Sequence, residues 1–297
     1  MTTLDQGTAD KTQAPLAEPP KGPISRVLHN FVRHPKGMFA LALLLALIAS
    51  VTMGPLVYDV DPTKVDLALT MAPPSAEHPL GTDENGRDVL SRLLEGGRVS
   101  LMVGFAAMFV SVGLGVLLGS SAGYLGGWTD RLIMQLVDGI MAVPLFFLWL
   151  IFLTSVPPTP LSIVLVIGCT SWMPTARVVR SEVLKTRELE FVEAARALGA
   201  SRVRILLRHC LPQATSSIIV SATLAAAFAI ISESALSFLG IGIQPPRPSW
   251  GNMLTGAQEY LFAAPSLAIY PGVAIVLLVL SLNLLGDALR DVLSPRG

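Results

Sequence analysis

The sequence has little charge: only 14% of its 297 residues are Asp, Glu, Lys or Arg, against about 25% in an ordinary soluble domain. The shortage is concentrated in four stretches that carry none of these residues, namely 99–129, 139–176, 212–232 and 260–286. About 20 apolar helical residues cross the hydrocarbon core of a bilayer. Each stretch is therefore long enough for one span or more, which excludes a conventional soluble protein and predicts an all-α, polytopic membrane protein.

A surplus of charge of either sign is also missing, because 21 basic residues balance 21 acidic ones. Nucleic acid therefore has no electrostatic support as a partner. Cysteine is nearly absent: Cys169 lies in an apolar run and Cys210 in a basic segment. We interpret both as core fillers rather than as a disulfide framework.

Six spans and a polar tail organise the chain. Residues 1–25 are rich in Pro, Ala, Lys and Asp and are predicted to be a disordered cytoplasmic tail. Residues 26–99 hold the first span, near 38–58, and an extracytoplasmic segment, whereas 100–297 form the core domain. The first apolar run is long for a signal peptide and follows a polar stretch, so an uncleaved helix is favoured. The other spans are predicted near 101–119, 132–154, 161–176, 213–231 and 266–285.

Most Lys and Arg residues fall on one side of these six spans, and the positive-inside rule makes that side cytoplasmic. The largest group lies between spans four and five: Arg177, Arg180, Lys185, Arg187, Arg196, Arg202, Arg204 and Arg208. Both chain ends are predicted to be cytoplasmic.

The cytoplasmic segment after span four has a helical apolar pattern. Phe191, Ala194, Ala195 and Leu198 follow an i, i+3, i+4, i+7 spacing, which predicts one apolar stripe on a short helix. Gly199 is suited to end that helix, Ser201 to cap a second one, and Pro212 to begin span five. From periodicity alone, this hairpin is either a partner-binding element or an amphipathic pair on the lipid surface.

The residues of this hairpin resemble the "EAA" loop of bacterial ABC-importer permeases. The match consists of Glu193-Ala194-Ala195, then Gly199, then Leu211-Pro212, with His209 where the family usually has an aliphatic residue. The resemblance implies a coupling loop over 186–212 that docks on an ATP-hydrolysing subunit. Its candidate docking residues are Glu190, Glu193, Ala194, Ala195, Leu198, Gly199, Leu211 and Pro212.

The segment between spans one and two carries several acidic residues, among them Asp83, Glu84 and Asp88. They lack the register of a calcium-binding loop, so no metal site is predicted. We expect a helix that starts near Asp83, with Arg87, Arg92 and Arg98 along its polar side.

This segment resembles the H-x-L-G-T-D-x-x-G-R-D-x-x-S-R signature of dipeptide, oligopeptide and nickel permeases. Its motif residues are Gly81, Thr82, Asp83, Gly86, Arg87, Asp88, Ser91 and Arg92. Residues 123–130, 233–240 and 245–251 resemble further segments of the same branch. The resemblance implies the transmembrane domain of a type I (MetI-like) ABC importer, with 100–297 as the core permease domain.

The resemblance implies a non-enzymatic permease subunit of the bacterial inner membrane that translocates dipeptides or short oligopeptides. The expected partners are a homologous second permease subunit, two ATPase subunits that bind ATP and magnesium, an extracytoplasmic binding protein and membrane lipid. No cofactor is expected in this chain. Nickel complexes, glutathione and haem are alternative cargoes.

Two other classes of protein, a secondary transporter and an intramembrane enzyme, have less support in the sequence. A secondary transporter needs coupling groups inside the membrane and usually an internal repeat, and no repeat is evident. An intramembrane enzyme lacks support from an H-E-x-x-H motif, and the four histidines lie outside the spans.

Two acidic residues near the spans are candidate path or helix-contact residues. Asp138 lies in span three, where we favour a structural carboxylate bonded to a neighbouring helix, and Glu233 ends span five, where we favour an interfacial position. Ser217, Ser221, Ala225 and Ala229 repeat every four residues along span five. That spacing predicts a helix-packing seam.

Overall fold

The computed structural model describes residues 29–293, so the tail predicted over 1–25 lies outside the described part. Within that part, regular structure is helical apart from one isolated bridge between Thr82 and Asp88. The helices are α1 (Pro35–Val57), α2 (Val89–Leu125), α3 (Gly127–Met141), α4 (Leu145–Ser155), α5 (Pro160–Thr170), α6 (Met173–Thr186), α7 (Glu190–Ala197), α8 (Arg202–Ile205), α9 (Leu211–Phe238), α10 (Trp250–Gln258) and α11 (Ser266–Leu293).

Length and apolar composition qualify four helices to cross a membrane: α1, α2, α11 and the continuous helix Arg202–Phe238. Two bent pairs, α3 with α4 and α5 with α6, bring the number to six if each pair is one span. The six predicted spans correspond to these six units. The third is not straight, however, because α3 and α4 meet at 84°. Pro144 ends the helix there, since it lacks an N–H and restricts the residue before it.

The fourth span also differs from its prediction, which ended at Ala176. After a bend of 42°, α6 continues as a helix to Thr186. Arg177, Arg180 and Lys185 therefore lie on a rigid helix rather than in a loop, and their side chains can be placed against neighbouring elements.

Helix α2 is the central element, in contact with α1, α5, α6 and α9. Its 37 residues extend about 55 Å at 1.5 Å per residue. Gly115, Gly119 and Gly123 face α6, and a Cβ at Gly119 would lie 2.4 Å from the carbonyl oxygen of Ala176. Glycines at four-residue spacing thus let the backbones of α2 and α6 approach closely.

The second helix of the predicted hairpin is not a separate element. Helix α8 passes through a π-helical turn, Leu206–Cys210, directly into α9. Pro212 follows this turn. A proline inside a helix lacks one hydrogen bond and clashes with the preceding turn, and a π turn is a common way to change the bonding there. The second arm of the hairpin is consequently the first part of the helix that forms the fifth span.

The helices define two ends of the molecule. We call the end that holds residues 187–212 the hairpin end, and the end that holds residues 58–88 and 239–250 the opposite end. Helices α2 and α9 run between the two ends, so both ends share the same long helices.

Candidate functional site

The hairpin has one buried side, which attaches it to the membrane helices. Val192, Ile205 and Cys210 are fully buried and pack against Val179 and Val183 of α6. Val116, Tyr124, Ala200, Leu206, Leu211 and Ile218 complete this cluster. Because the cluster includes residues of α2, α6 and α9, the hairpin is packed against three helices of the membrane-spanning part.

The predicted apolar stripe lies on the free side of the hairpin. Phe191, Ala194 and Leu198 are exposed, and Leu198 keeps 88% of its surface accessible. Val192, which is outside the predicted stripe, is the residue that is buried. The sequence pattern therefore identified a real apolar face, but that face points away from this chain.

The remaining docking candidates surround this face. Glu190 and Glu193 are exposed in the first turn of α7, where carboxylates interact favourably with the positive end of the helix dipole. Gly199 has a φ of +79° and no atom near the position of an added Cβ. Ala195 is half-buried. Leu211 joins the buried cluster and Pro212 is exposed, so the structure brings Leu211 but not Pro212 to the inner side.

His209, the departure from the family pattern, contacts the other arm of the hairpin. Its ring centroid lies 6.2 Å from that of Phe191. An aromatic ring thus occupies the position of the usual aliphatic side chain and holds α7 against the π turn.

Two arginines at the hairpin end make hydrogen bonds between helices that the sequence did not predict. Arg180 of α6 donates through Nε and Nη2 to both carboxylate oxygens of Asp130 on α3. Arg187 donates from Nη1 to the carbonyl oxygen of Gly123, at 2.8 Å. The sequence alone did not predict this pairing, because fifty residues separate Arg180 from Asp130. Predicting it requires the knowledge that Arg180 lies on α6, next to α3.

Asp138 forms a second ion pair between the same two helices. Its Oδ1 lies 2.6 Å from Arg177 Nη2, and both side chains are largely accessible in this chain. The geometry is that of a helix contact, in agreement with the interpretation favoured from the sequence.

The motif residues at the opposite end are paired with one another. Asp83 Oδ1 accepts from the backbone N–H of Arg87 at 2.9 Å, and Oδ2 accepts from Arg87 Nε at 2.7 Å. Arg92 Nε lies 3.3 Å from the same Oδ2. Arg87 and Arg92 are buried, so the expectation that they line a polar helix side is wrong. The Asp83 carboxylate holds both arginine side chains inside the fold.

The helix start is also displaced from the prediction. Asp88, not Asp83, is the N-cap of α2 and accepts from the N–H of Ser91 at 2.7 Å. Its other oxygen lies 2.8 Å from Tyr58 Oη and 2.8 Å from His78 Nδ1. Burial, followed by the hydrogen bond and charge of Asp88, raises the pKa of Tyr58 to about 12. Tyr58 therefore stays protonated and donates to Asp88.

Two glycines of the motif are required by the backbone. Gly81 and Gly86 have φ of +77° and +70°, a region that favours residues without a Cβ. A Cβ at Gly86 would lie 1.8 Å from the carbonyl oxygen of Asp66. Thr82 donates from its hydroxyl to the Leu69 carbonyl oxygen and accepts from Ala72 N–H. The motif therefore builds a compact fold at this end.

Glu233 is buried rather than interfacial, which corrects the sequence interpretation. It has no exposed surface. Ser237 and Ser100 donate to its two oxygens at 2.7 and 2.8 Å. Glu233 is thus a contact between α9 and α2. The sequence does not reveal Ser100 as its neighbour, because 133 residues separate them, whereas Ser237 lies one helical turn away.

The small residues of span five do not all form a closed seam. Ala229 is buried, but Ser221 and Ala225 line an open, largely apolar groove of about 500 Å³. Leu145, Ser171, Pro174, Thr175, Val178, Leu224 and Phe228 complete its walls. This part of α9 therefore presents a surface that the chain itself leaves uncovered.

The sequence contains one G-x-S-x-G pattern, the signature of a serine nucleophile in hydrolases, at residues 119–123. They lie in the middle of α2, where Ser121 donates to the carbonyl oxygen of Leu117 at 2.7 Å. A nucleophile of this motif requires a sharp strand-to-helix turn, so the pattern here belongs to the glycine seam.

These features define a multi-pass membrane protein with a hairpin whose apolar face is exposed. A model of the "binding-protein-dependent transport system inner membrane component" family matches residues 115–296, and a model of the N-terminal transmembrane domain of oligopeptide transport permease C matches residues 22–74. The chain belongs to the first of these families, the permease subunits of ABC importers. It is a membrane permease subunit and not itself a catalyst.

Relatives and a solved structure agree with this assignment. A protein of Brucella suis named as a peptide permease is 39% identical over 277 residues, covering 93% of this chain and 92% of that protein. A glutathione transport system permease of Pectobacterium atrosepticum is 42% identical over 223 residues, covering 75% of this chain and 74% of that protein. The inward-facing MetNI methionine ABC transporter matches with a TM-score of 0.54 at 20% identity, over 67% of this chain and 95% of that one. The last match shows the fold.

Proposed function

We propose that this chain is a transmembrane subunit of an ABC importer that carries dipeptides or short oligopeptides across a bacterial inner membrane. Relatives named as peptide permeases, which align with more than nine tenths of the chain, support this cargo. Glutathione, itself a short peptide, is the alternative that the Pectobacterium relative favours.

The observation that carries the mechanism is the free apolar face of the hairpin. Phe191, Ala194 and Leu198 are exposed on α7, while the other side of the same helix is fixed to α2 and α6. An exposed apolar patch on a rigid element is typical of a protein-binding surface. The proposed occupant is an ATPase subunit that binds ATP and magnesium, so that the chain needs no cofactor of its own.

The other parts of the proposed complex follow from the same orientation. The hairpin end and both chain ends are cytoplasmic, because the arginines of α6 and the hairpin lie there. A homologous second permease subunit would cover the groove beside Ser221 and Ala225, and a binding protein would meet the opposite end. Two ATPase subunits would serve the two permease subunits.

Transport in a reconstituted complex tests this function. The chain is co-purified with its second permease and ATPase subunits, placed in liposomes, and supplied with binding protein loaded with labelled dipeptide. We expect uptake of the labelled dipeptide to require ATP. Unlabelled dipeptide should inhibit this uptake more strongly than glutathione or nickel does. Uptake without ATP would instead favour a secondary transporter and would refute the proposal.

A pair of substitutions tests the docking face. Leu198→Glu places a charge in the proposed interface and is expected to abolish copurification of the ATPase. Val203→Glu is a matched control, because Val203 is also exposed on the hairpin but lies outside the stripe. We expect the complex with this variant to keep the ATPase and to take up dipeptide within about twofold of wild type. Equal effects of the two variants would contradict docking through the stripe.

A further inference from the structure

Glu233 is a buried carboxylate without a cation. Ser237 Oγ lies 2.7 Å from its Oε1, and Ser100 Oγ lies 2.8 Å from its Oε2. Ser234 Oγ is a more distant neighbour, at 3.5 Å. Among residues 29–293, no Lys, Arg or His forms an ion pair with Glu233. Hydroxyl groups alone therefore take the place of water around this side chain.

Backbone N–H groups fix the direction of these hydrogen bonds. The N–H of Ile243 donates to Ser237 Oγ at 2.9 Å, and the N–H of Trp250 donates to Ser100 Oγ at 3.2 Å. Each serine has a single proton to give, and that proton points to the carboxylate. Both oxygens of Glu233 act as acceptors of these hydrogen bonds.

Two hydrogen-bond chains, which we call relays, start at Glu233: one passes through Ser237 to Ile243 and the other through Ser100 to Trp250. They reach the two ends of one segment. Residues 239–250 connect α9 to α10, with Ile243 near the start and Trp250 at the end. Asn252 shapes the middle, since its Nδ2 donates to the carbonyl oxygens of Ile243 and Arg247 at 3.1 and 2.8 Å. Glu233 is thus linked through two serines to both ends of a segment whose middle is held by Asn252.

This segment forms part of the surface at the opposite end. Pro246, Arg247 and Pro248 are one wall of a groove of about 470 Å³, and residues 58–63 form the other. The helices that receive the relays, α2 and α9, carry the hairpin at their far ends. Glu233 therefore connects the surface at the opposite end to α2 and α9, the two helices that also contact the hairpin.

On the basis of the proposed function, we propose that Glu233 is a positioning residue for transport. Its carboxylate holds segment 239–250 to α2 and α9, so that movement driven at the hairpin repositions the surface where cargo is delivered. Both oxygens of Glu233 are needed because each accepts from a serine hydroxyl that itself accepts from a backbone N–H of the segment.

The isosteric variant Glu233→Gln tests this requirement. Its amide would turn donor hydrogens toward a hydroxyl that is itself a donor, so one relay would break although size is unchanged. We expect uptake per assembled complex to fall about tenfold, the scale for a buried hydroxyl that loses its acceptor. The stimulation of ATP hydrolysis by loaded binding protein should fall with it.

Two serines of α2 provide a matched comparison. Ser100→Ala removes one relay and should reproduce the Gln variant in part. Ser111 is also buried, but its hydroxyl has no hydrogen-bond partner within the described residues, so Ser111→Ala should behave as wild type. Wild-type uptake in Glu233→Gln overturns the proposal. An equal loss of assembled complex, hydrolysis and uptake also overturns it, because that result shows a structural role only.

A readout that does not depend on the cargo separates this role from the proposed function. A spin label at Gln244→Cys, in a Cys169→Ser background, reports the mobility of the segment. The label should respond to a non-hydrolysable ATP analogue in the complex with Glu233 and not in the complex with Gln. The same response in both complexes overturns the role of Glu233, whereas absent dipeptide uptake in wild type counts against the proposed function.

Discussion

The two ends of the helices use their side chains in opposite ways. At the opposite end, Asp83, Arg87 and Asp88 are buried and bonded to one another or to neighbours within the chain. At the hairpin end, Leu198 and Phe191 are exposed, and Arg202 forms no ion pair with any residue of 29–293. Both ends carry motifs of the family. One motif therefore builds a local fold, whereas the other leaves an apolar surface that the described part of the chain does not cover.

The largest effect is expected where the opposite end is most tightly folded. Gly86→Ala would place a Cβ 1.8 Å from the Asp66 carbonyl oxygen, at a φ of +70°. Because backbone atoms on both sides must move, we expect a destabilisation of more than about 3 kcal/mol. The yield of monodisperse protein in detergent and its Tm measure this loss.

Gly113→Ala is the control for that variant. Gly113 lies inside α2 with no atom within 4 Å of an added Cβ, and alanine favours a helix. Its Tm should equal or exceed that of wild type. A Gly86→Ala protein with unchanged Tm would show that the motif is not a folding element, and the contrast between the two ends would fail.

The next effect concerns coupling rather than folding. Gly199 has a φ of +79° with free space around it, so a substitution there meets a conformational cost and no clash. Gly199→Val should lower uptake about tenfold, because β-branched residues avoid this region, whereas Gly199→Asn should stay close to wild type since Asn tolerates it. Protein yield should be similar for both. Equal uptake in the two variants would argue against a requirement for this turn.

A smaller effect separates the two ion pairs between α3 and α6. The Arg180–Asp130 pair is bidentate and less exposed than the Arg177–Asp138 pair. Double-mutant cycles on Tm should give about 1 kcal/mol for the first and at most about 0.3 kcal/mol for the second, because exposed pairs are screened. A larger coupling energy for Asp138 would indicate that a partner buries it in the assembled complex.

The sequence predicted the six apolar units, counting each bent pair as one span, and the exposed apolar stripe, because these depend on local composition and spacing. It did not predict the burial of Glu233, since the hydroxyl of Ser100 that satisfies it is 133 residues away. The pairing of Arg180 was missed because the end of span four was set at Ala176, ten residues before the helix ends. Likewise, Arg87 and Arg92 were assigned to solvent, as the turn that brings them to Asp83 is not encoded in helical periodicity.

The smallest effect concerns a single hydroxyl at the opposite end. Tyr58→Phe removes the donor to Asp88, but His78 and the N–H of Ser91 remain as neighbours of that carboxylate. We therefore expect a loss of about 1 kcal/mol or less in the free energy of unfolding. Thermal unfolding in detergent at neutral pH measures it.

The pH dependence of this variant gives the sharper test. The pKa of Tyr58 is raised from 10.0 to about 12 on folding, so the protonated phenol stabilises the fold fully below pH 10, and this contribution disappears as the pH rises toward 12. The difference in Tm between wild type and Tyr58→Phe should shrink over that interval. Other groups that titrate there are common to both proteins and cancel in the difference. A difference that stays constant from pH 9 to pH 12 would show that Tyr58 contributes by its ring alone, so that the opposite end would owe less to internal hydrogen bonds than the comparison with the hairpin implies.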